Sequence, residues 1–236
     1  MSANPDPLAL APWFGSVLEA AAITKGRRVL VLGPSVEQCT AVLAAVGPSG
    51  AVTVVQPDPV VAAAIDGLPE TTLGVLTQEM RGNERLGMHD AAIHCAGSQG
   101  CPNLAVWSGL AARNLRPGGR MVLDLPARPH VEVLADALRS AAVPDADIAR
   151  LDGPTRAELE KNITRLGLRS AEIHELAHLI TFESPRDAAV LAVAMCGADP
   201  ARAEFTETVA RILTSRYATV AAFEIPFHRL RAQAMR

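Results

Sequence analysis

The feature that most constrains this chain is a series of short apolar runs alternating with segments of helical spacing. The runs are VLVLG, which ends at Gly33, and residues 52–55, 73–76, 91–95 and 121–125. They are aliphatic, without polar alternation, as in strands that are buried on both faces. The segments between them, in which apolar residues recur with helical spacing, are 39–46, 59–65, 104–115 and 131–142. This alternation predicts an α/β fold with a doubly wound, mostly parallel sheet.

The two ends of the chain have a different pattern. A helix is predicted over residues 13–23, and the polar, turn-rich residues 144–156 predict a loop that carries a short helix. Two further extended candidates, 171–182 and 220–229, enclose predicted helices at 185–196 and 200–215. We expect one domain over 1–236, in which 12–142 forms a nucleotide-binding core and 143–236 supplies the C-terminal strands and lid helices.

Composition and charge argue against several function classes. The formal net charge is −3 and no polybasic run is present, so a nucleic-acid partner is not expected. The four cysteines form no CxxC pair, which favours a reducing compartment. Residues 188–196, the most apolar stretch, are too short to span a bilayer, and no signal peptide is evident. These features predict a cytoplasmic protein without a membrane partner.

Five sequence blocks carry a resemblance to a known family. In chain order they are GRRVLVLG, VGPSGAVTVVQPDP, HDAAIHC, LAARNLRPGGRMVLDLP and LGLRSAEIHELAHLITFESPRDA. With these blocks the chain resembles the class I S-adenosylmethionine (SAM)-dependent methyltransferases that act on small molecules, including quinones. The resemblance implies a seven-stranded Rossmann-like sheet with an antiparallel last strand, for which 220–229 is the candidate, and a helical lid insertion. It also implies SAM as the cofactor, bound at the carboxyl ends of the central strands.

The first loop departs from the family's pattern. Members carry an acidic residue followed by three alternating glycines, which let the cofactor approach the bare backbone. Here residues 31–37 have the sequence VLGPSVE, in which only Gly33 remains. The resemblance assigns Gly33, Pro34 and Ser35 to the cofactor. Gly33 could instead serve the turn alone, and Ser35 could cap the following helix.

The other cofactor-binding candidates follow the second, third and fourth strands: Gln56, Pro57, Asp58, Glu79, Met80, His94 and Cys95. Gln56 stands where the family has a carboxylate that accepts from the ribose hydroxyls, and an amide offers one acceptor and one donor instead. Asp58 could compensate, or could cap the helix that begins near residue 59. Glu79 stands where an acidic residue meets the adenine amino group, or is a solvated loop carboxylate.

Methyl transfer from SAM needs in-line alignment of the reacting atoms and sometimes a base that takes the proton of the acceptor. His94 is the candidate base, because its unperturbed pKa lies near neutrality. The alternative is a histidine at a strand end that bonds a loop carbonyl. His89, which precedes the strand, is predicted to be exposed. A metal or redox site formed by His94, Cys95 and Cys101 is a further alternative without tight ligand spacing.

Residues 174–178 form the sequence HELAH, the zinc-protease pattern HExxH. On a helix the two histidines would share one face, with Glu175 as the base. The flanking residues favour a strand, on which histidines four residues apart lie about 13 Å from each other, so no metal is expected.

Three hypotheses follow from the sequence. The first is a methyltransferase with a small-molecule substrate. The second is a catalytically inactive protein that keeps the fold as an interaction or assembly partner, in a homodimer or with another protein. The third is a zinc hydrolase.

Overall fold

The computed structural model describes residues 13–70, 72–96, 103–128, 130–196, 203–217 and 223–236. Within them lie seven strands: β1 (Arg28–Leu32), β2 (Ala51–Val55), β3 (Leu73–Leu76), β4 (His89–Cys95), β5 (Leu115–Pro126), β6 (Arg169–Phe182) and β7 (Phe223–Met235). The helices are α1 (Phe14–Ala20), α2 (Val36–Val46), α3 (Pro59–Asp66), α4 (Leu104–Arg113), α5 (Glu132–Ser140), α6 (Asp145–Ile148), α7 (Arg156–Arg165), α8 (Pro185–Met195) and α9 (Ala203–Tyr217), with a short 3₁₀ turn at Ala149–Leu151.

The seven strands form one sheet in the order β3-β2-β1-β4-β5-β7-β6. The first five strands pair in parallel, and β7 lies antiparallel between β5 and β6. The predicted doubly wound sheet with an antiparallel seventh strand is therefore confirmed. The strand order reverses direction between β1 and β4, and in open α/β sheets ligands bind beside the carboxyl ends of the strands at such a point.

Side-chain caps set the starts of several helices. Ser35 forms a capping box with Gln38, so α2 begins at Val36, three residues before the predicted start. Ser184 caps α8, and Pro185 occupies the first turn, as the sequence predicts. Thr155 and Glu158 form a second capping box.

The structure corrects the prediction in the last third of the chain. Residues 156–165 form α7, a helix that the sequence pattern did not predict. β7 runs six residues further than predicted, to Met235, and the first three residues of the prediction, 220–222, lie outside the described residues. The two helices for which the sequence predicts a lid, α8 and α9, pack against each other and against α5, and their role as a lid stays a prediction.

The position of His89 differs from the sequence prediction. It is the first residue of β4 and only 1% exposed, whereas the sequence predicts an exposed side chain. Its Nδ1 lies 3.2 Å from the carbonyl oxygen of Asn114, and its Nε2 lies 3.1 Å from Oγ1 of Thr53. His89 is therefore a core residue that joins β4 to β2 and to the residue directly before β5. No helix within the described ranges combines the length and the apolar character needed to cross a membrane.

Candidate functional site

The loop between β1 and α2 lies at the carboxyl edge of the sheet. Gly33 has a φ of +59°, a conformation that favours glycine, and its amide donates to the Val55 carbonyl oxygen at 2.8 Å. A Cβ at position 33 would lie 3.6 Å from Cε1 of His94, which is an ordinary contact. The positive φ therefore selects glycine here, and the turn brings bare backbone close to the end of β4.

Gln56 ties this loop to the end of β2. Its Nε2 donates to the Pro34 carbonyl oxygen at 2.7 Å, and its Oε1 accepts from the Asp58 amide at 3.0 Å. Gln56 and Pro34 are both buried. Both ends of the amide are thus engaged inside the chain, at the position where the resemblance expects a group that faces the ribose.

Asp58 and Glu79 have different surroundings. Oδ1 of Asp58 accepts from the amides of Val60 and Val61, at 2.8 and 3.3 Å, so this carboxylate caps α3. Glu79 is exposed and follows β3, while Met80 is buried in an apolar cluster that also contains Trp107. Pro57, between Gln56 and Asp58, is exposed. At this edge the structure brings together the Gly33 loop, Gln56 and Asp58.

His94 lies beneath the Gly33 turn and is 5% exposed. Its Nδ1 donates to the Leu32 carbonyl oxygen at 2.6 Å, since a carbonyl can only accept, and its ring stacks on Trp107 with centroids 5.7 Å apart. Burial lowers the pKa of His94 below its usual value, so the imidazole is neutral near pH 7. Its Nε2 is buried and has no hydrogen-bond partner among the described residues. His94 therefore bonds the loop carbonyl and keeps one unused acceptor.

Cys95 points to the opposite face of the sheet, because successive residues of a strand alternate. Burial first, and the nearby Asp124 second, raise the pKa of the thiol to about 12. Its carbonyl oxygen accepts a hydrogen bond from Nε2 of Gln38, in α2, at 3.4 Å. The thiol of Cys95 is thus a protonated core group.

A group of charged residues that the sequence pattern did not predict lies beside Cys95; we call it the buried charge cluster, and its members are Asp124, Arg229 and Arg231. They are 0%, 0% and 6% exposed, respectively. Nε of Arg229 donates to Oδ1 of Asp124, and Nε of Arg231 donates to Oδ2 at 2.7 Å. Nη2 of Arg229 also donates to the carbonyl oxygens of Ala96 and Asp124, at 2.6 and 2.8 Å. The cluster therefore joins β7 to the carboxyl ends of β4 and β5.

Two rings cover this cluster. The guanidinium of Arg229 lies 4.8 Å from the centroid of the Trp13 ring, a cation–π contact. The His178 ring stacks on the Trp13 ring, with centroids 4.7 Å apart and an angle of 19° between the two planes. Burial lowers the pKa of His178, so this ring is also neutral near pH 7.

The HELAH segment lies within β6, as the flanking residues predict. His174 and His178 are therefore separated along an extended strand by about 13 Å, too far to share one zinc ion. The described part of the chain contains no group of three His, Cys, Asp or Glu residues that could hold a metal. Cys101, the third member of the metal or redox site that the sequence suggests with His94 and Cys95, lies outside the described residues.

No family model and no curated protein sequence matches the chain. Solved structures do match. A proposed methyltransferase from an antibiotic biosynthesis pathway of Anabaena variabilis has a TM-score of 0.67 at 12% identity, over 94% of this chain and 96% of that chain. A proposed methyltransferase from Bacillus halodurans has a TM-score of 0.62 at 14% identity, over 94% and 97%.

A third match comes from the complex between the Haloferax volcanii Trm112 methyltransferase activator and a proposed methyltransferase. Its TM-score is 0.58 at 16% identity, over 94% of this chain and 88% of that chain. At such identities a structural match establishes the fold alone. The chain therefore has the fold of the class I SAM-dependent methyltransferases.

Proposed function

We propose that this chain is a cytoplasmic SAM-dependent methyltransferase that acts on a small molecule. The observation that carries the proposal is the position of His94: a neutral imidazole with an unused acceptor at Nε2 lies against the Gly33 turn, at the carboxyl end of β4. A buried acceptor without a partner costs free energy, so a ligand group or a water is expected to meet it.

The residues of the loop fit SAM in part. The Gly33 turn offers backbone without a Cβ, and the exposed Glu79 is free to meet the adenine amino group. Gln56, by contrast, already uses both ends of its amide, and Oδ1 of Asp58 caps α3. The ribose hydroxyls would therefore meet a crowded, neutral position. We infer that the cofactor binds weakly.

The chemistry divides between cofactor and chain. SAM, when bound, supplies an electrophilic methyl group. In our proposal Nε2 of His94 accepts the proton of the acceptor's hydroxyl or amine, while the bond from Nδ1 to the Leu32 carbonyl holds the ring and its tautomer. The lowered pKa keeps this nitrogen unprotonated at neutral pH.

Isothermal titration with SAM and with S-adenosylhomocysteine tests the cofactor assignment. We expect dissociation constants of about 10–100 μM, which corresponds to roughly −7 to −5.5 kcal/mol, below the affinity of an intact carboxylate site. Absence of binding by both ligands at millimolar concentration would contradict the proposal.

Substitution Gln56→Glu is expected to tighten S-adenosylhomocysteine binding about tenfold, because a carboxylate accepts from both ribose hydroxyls in charge-assisted bonds. It should also cost about 1–2 kcal/mol of unfolding free energy, since the Pro34 carbonyl loses its donor. Titration and urea unfolding measure the two effects. Asn83→Asp, which adds the same charge on an exposed loop, is the matched control. Unchanged affinity in Gln56→Glu would show that the ribose does not lie at this position.

A second candidate function is a non-catalytic interaction or assembly partner. The engagement of Gln56 within the chain favours it, because the ribose position is then closed by the protein's own bonds. The Haloferax volcanii match comes from a complex with a protein partner, which is compatible with this alternative. Two results would support it. Size-exclusion chromatography with light scattering would show a dimer or a complex with another protein, and neither SAM nor S-adenosylhomocysteine would bind in the titration.

A further inference from the structure

The buried charge cluster carries an unbalanced charge. Two arginines, Arg229 and Arg231, face one carboxylate, that of Asp124, and all three residues are at least nine-tenths buried. Among the described residues, the other titratable groups next to it supply no second negative charge, because burial keeps His178 neutral and Cys95 protonated. A buried charge without a counter-ion is costly. The cluster therefore has a net charge of +1 that a ligand is suited to neutralise.

The same residues hold unused donors. Nη1 of Arg229 and Nη2 of Arg231 are buried and have no hydrogen-bond partner among the described residues. Buried donors are nearly always satisfied in folded proteins, so each unsatisfied one indicates a missing group. Each of the two guanidinium groups therefore keeps an N–H donor for a ligand oxygen, and arginine is the side chain best suited to bind a carboxylate.

The position of the cluster suits a ligand of the central sheet. Arg229 and Arg231 are two residues apart on β7 and therefore project from the same face, opposite Asp124 on β5. Nη2 of Arg229 bonds the carbonyl of Ala96, the residue directly after β4. The cluster thus lies behind the carboxyl ends of β4 and β5, on the opposite face of the sheet from the His94 side chain.

We propose that the buried charge cluster binds the carboxylate of a small monocarboxylic acid. A monoanion balances the net charge, whereas a phosphate dianion would overcompensate it. Trp13, which lies on Arg229, offers an aromatic ring beside the anion. Binding of this carboxylate does not depend on SAM or on the proposed function.

Thermal unfolding in sodium benzoate or sodium acetate, against sodium chloride at equal ionic strength, tests the site directly. At about ten times its dissociation constant, benzoate is expected to raise the melting temperature of the wild type by about 3–6 °C. Arg231→Met leaves one arginine against one aspartate, so the cluster becomes neutral. This variant should keep its melting temperature without ligand to within about 3 °C, and lose the benzoate shift. Arg211→Met, at an exposed position of α9, is the matched control and should keep the shift.

Two results would overturn the proposal. If neither carboxylate shifts the wild type, no carboxylate site exists, whatever the variants do. If Arg231→Met unfolds well below the wild type, or keeps the shift, the arginine serves packing rather than the anion. A failure of the SAM titration with an intact benzoate shift would instead contradict the proposed function and leave the site in place.

The carboxylate could also belong to the methionine part of the cofactor. Binding of S-adenosylhomocysteine and of 5′-methylthioadenosine, which lacks that carboxylate, separates the two sources. We expect Arg231→Met to change both affinities by less than about twofold. A selective tenfold loss for S-adenosylhomocysteine would assign the carboxylate to the cofactor and overturn the assignment to a separate acid.

Discussion

Replacing Gly153 with alanine is expected to lower the free energy of unfolding by roughly 3–5 kcal/mol. A Cβ at this position would overlap the carbonyl oxygen of Pro126 and lie 2.8 Å from its carbonyl carbon. Both atoms are backbone at the end of β5, and the Gly153 amide donates to the Ala127 carbonyl oxygen at 3.1 Å. The residues before α7 would have to move away from the sheet. Urea unfolding followed by circular dichroism measures the loss.

The matched control is Gly74→Ala in β3. A Cβ there meets nothing within 4 Å, and its backbone does not require glycine. This variant should be neutral or more stable by about 0.5 kcal/mol, because alanine restricts the unfolded chain. If Gly153→Ala and Gly74→Ala unfold at the same urea concentration, the chain does not approach β5 as closely as the structure indicates.

The central sheet was predictable because its signal is local. Strands of a parallel sheet are mostly aliphatic, and the runs at 52–55, 73–76 and 91–95 lie within β2, β3 and β4 with a difference of at most two residues at either end. Turn residues add to this: Ser184 and Pro185 mark the start of α8 in the sequence itself.

The last third was less predictable because its elements are polar on one side. α7 buries only Leu159 and Ile163. Two apolar residues among mostly polar and charged ones are too weak a periodic signal to predict a helix. Its capping box, from Thr155 to Glu158, is a signal that could have located the helix start. β7 continues as HRLRAQAM, in which the arginines resemble those of a solvated surface, although Arg229 is fully buried.

The candidate site divides in the same way. The positions of Gly33 and Gln56 at the ends of β1 and β2 follow from the strand pattern. The bond from Gln56 to Pro34 does not, since it depends on the shape of one loop. The buried charge cluster joins residues more than 100 positions apart, through the register of β5 against β7. Asp124 within an apolar run was the one local sign, because a buried carboxylate needs a partner.

Asp124 is the residue at which we expect the second large loss of unfolding free energy. Asp124→Asn keeps the size of the side chain and removes its charge, which leaves two buried arginines without any counter-ion. Removing one partner of a buried ion pair costs about 3–5 kcal/mol, and urea unfolding should show a loss of this size. Asp136→Asn, which affects an exposed ion pair with Arg139, is the control and should cost at most about 0.5 kcal/mol.

Comparing Asp124→Asn with Arg231→Met distinguishes a purely structural network from a cluster with surplus positive charge. Each variant removes one member of the same buried group, so a purely structural network would lose similar stability in both. If the cluster instead holds a surplus positive charge, Asp124→Asn raises that surplus to two, whereas Arg231→Met removes it. We therefore expect the aspartate variant to be the less stable of the two by at least about 2 kcal/mol, and benzoate to restore part of its stability. Equal losses in the two variants would mean that the arginines are balanced by groups other than a bound anion.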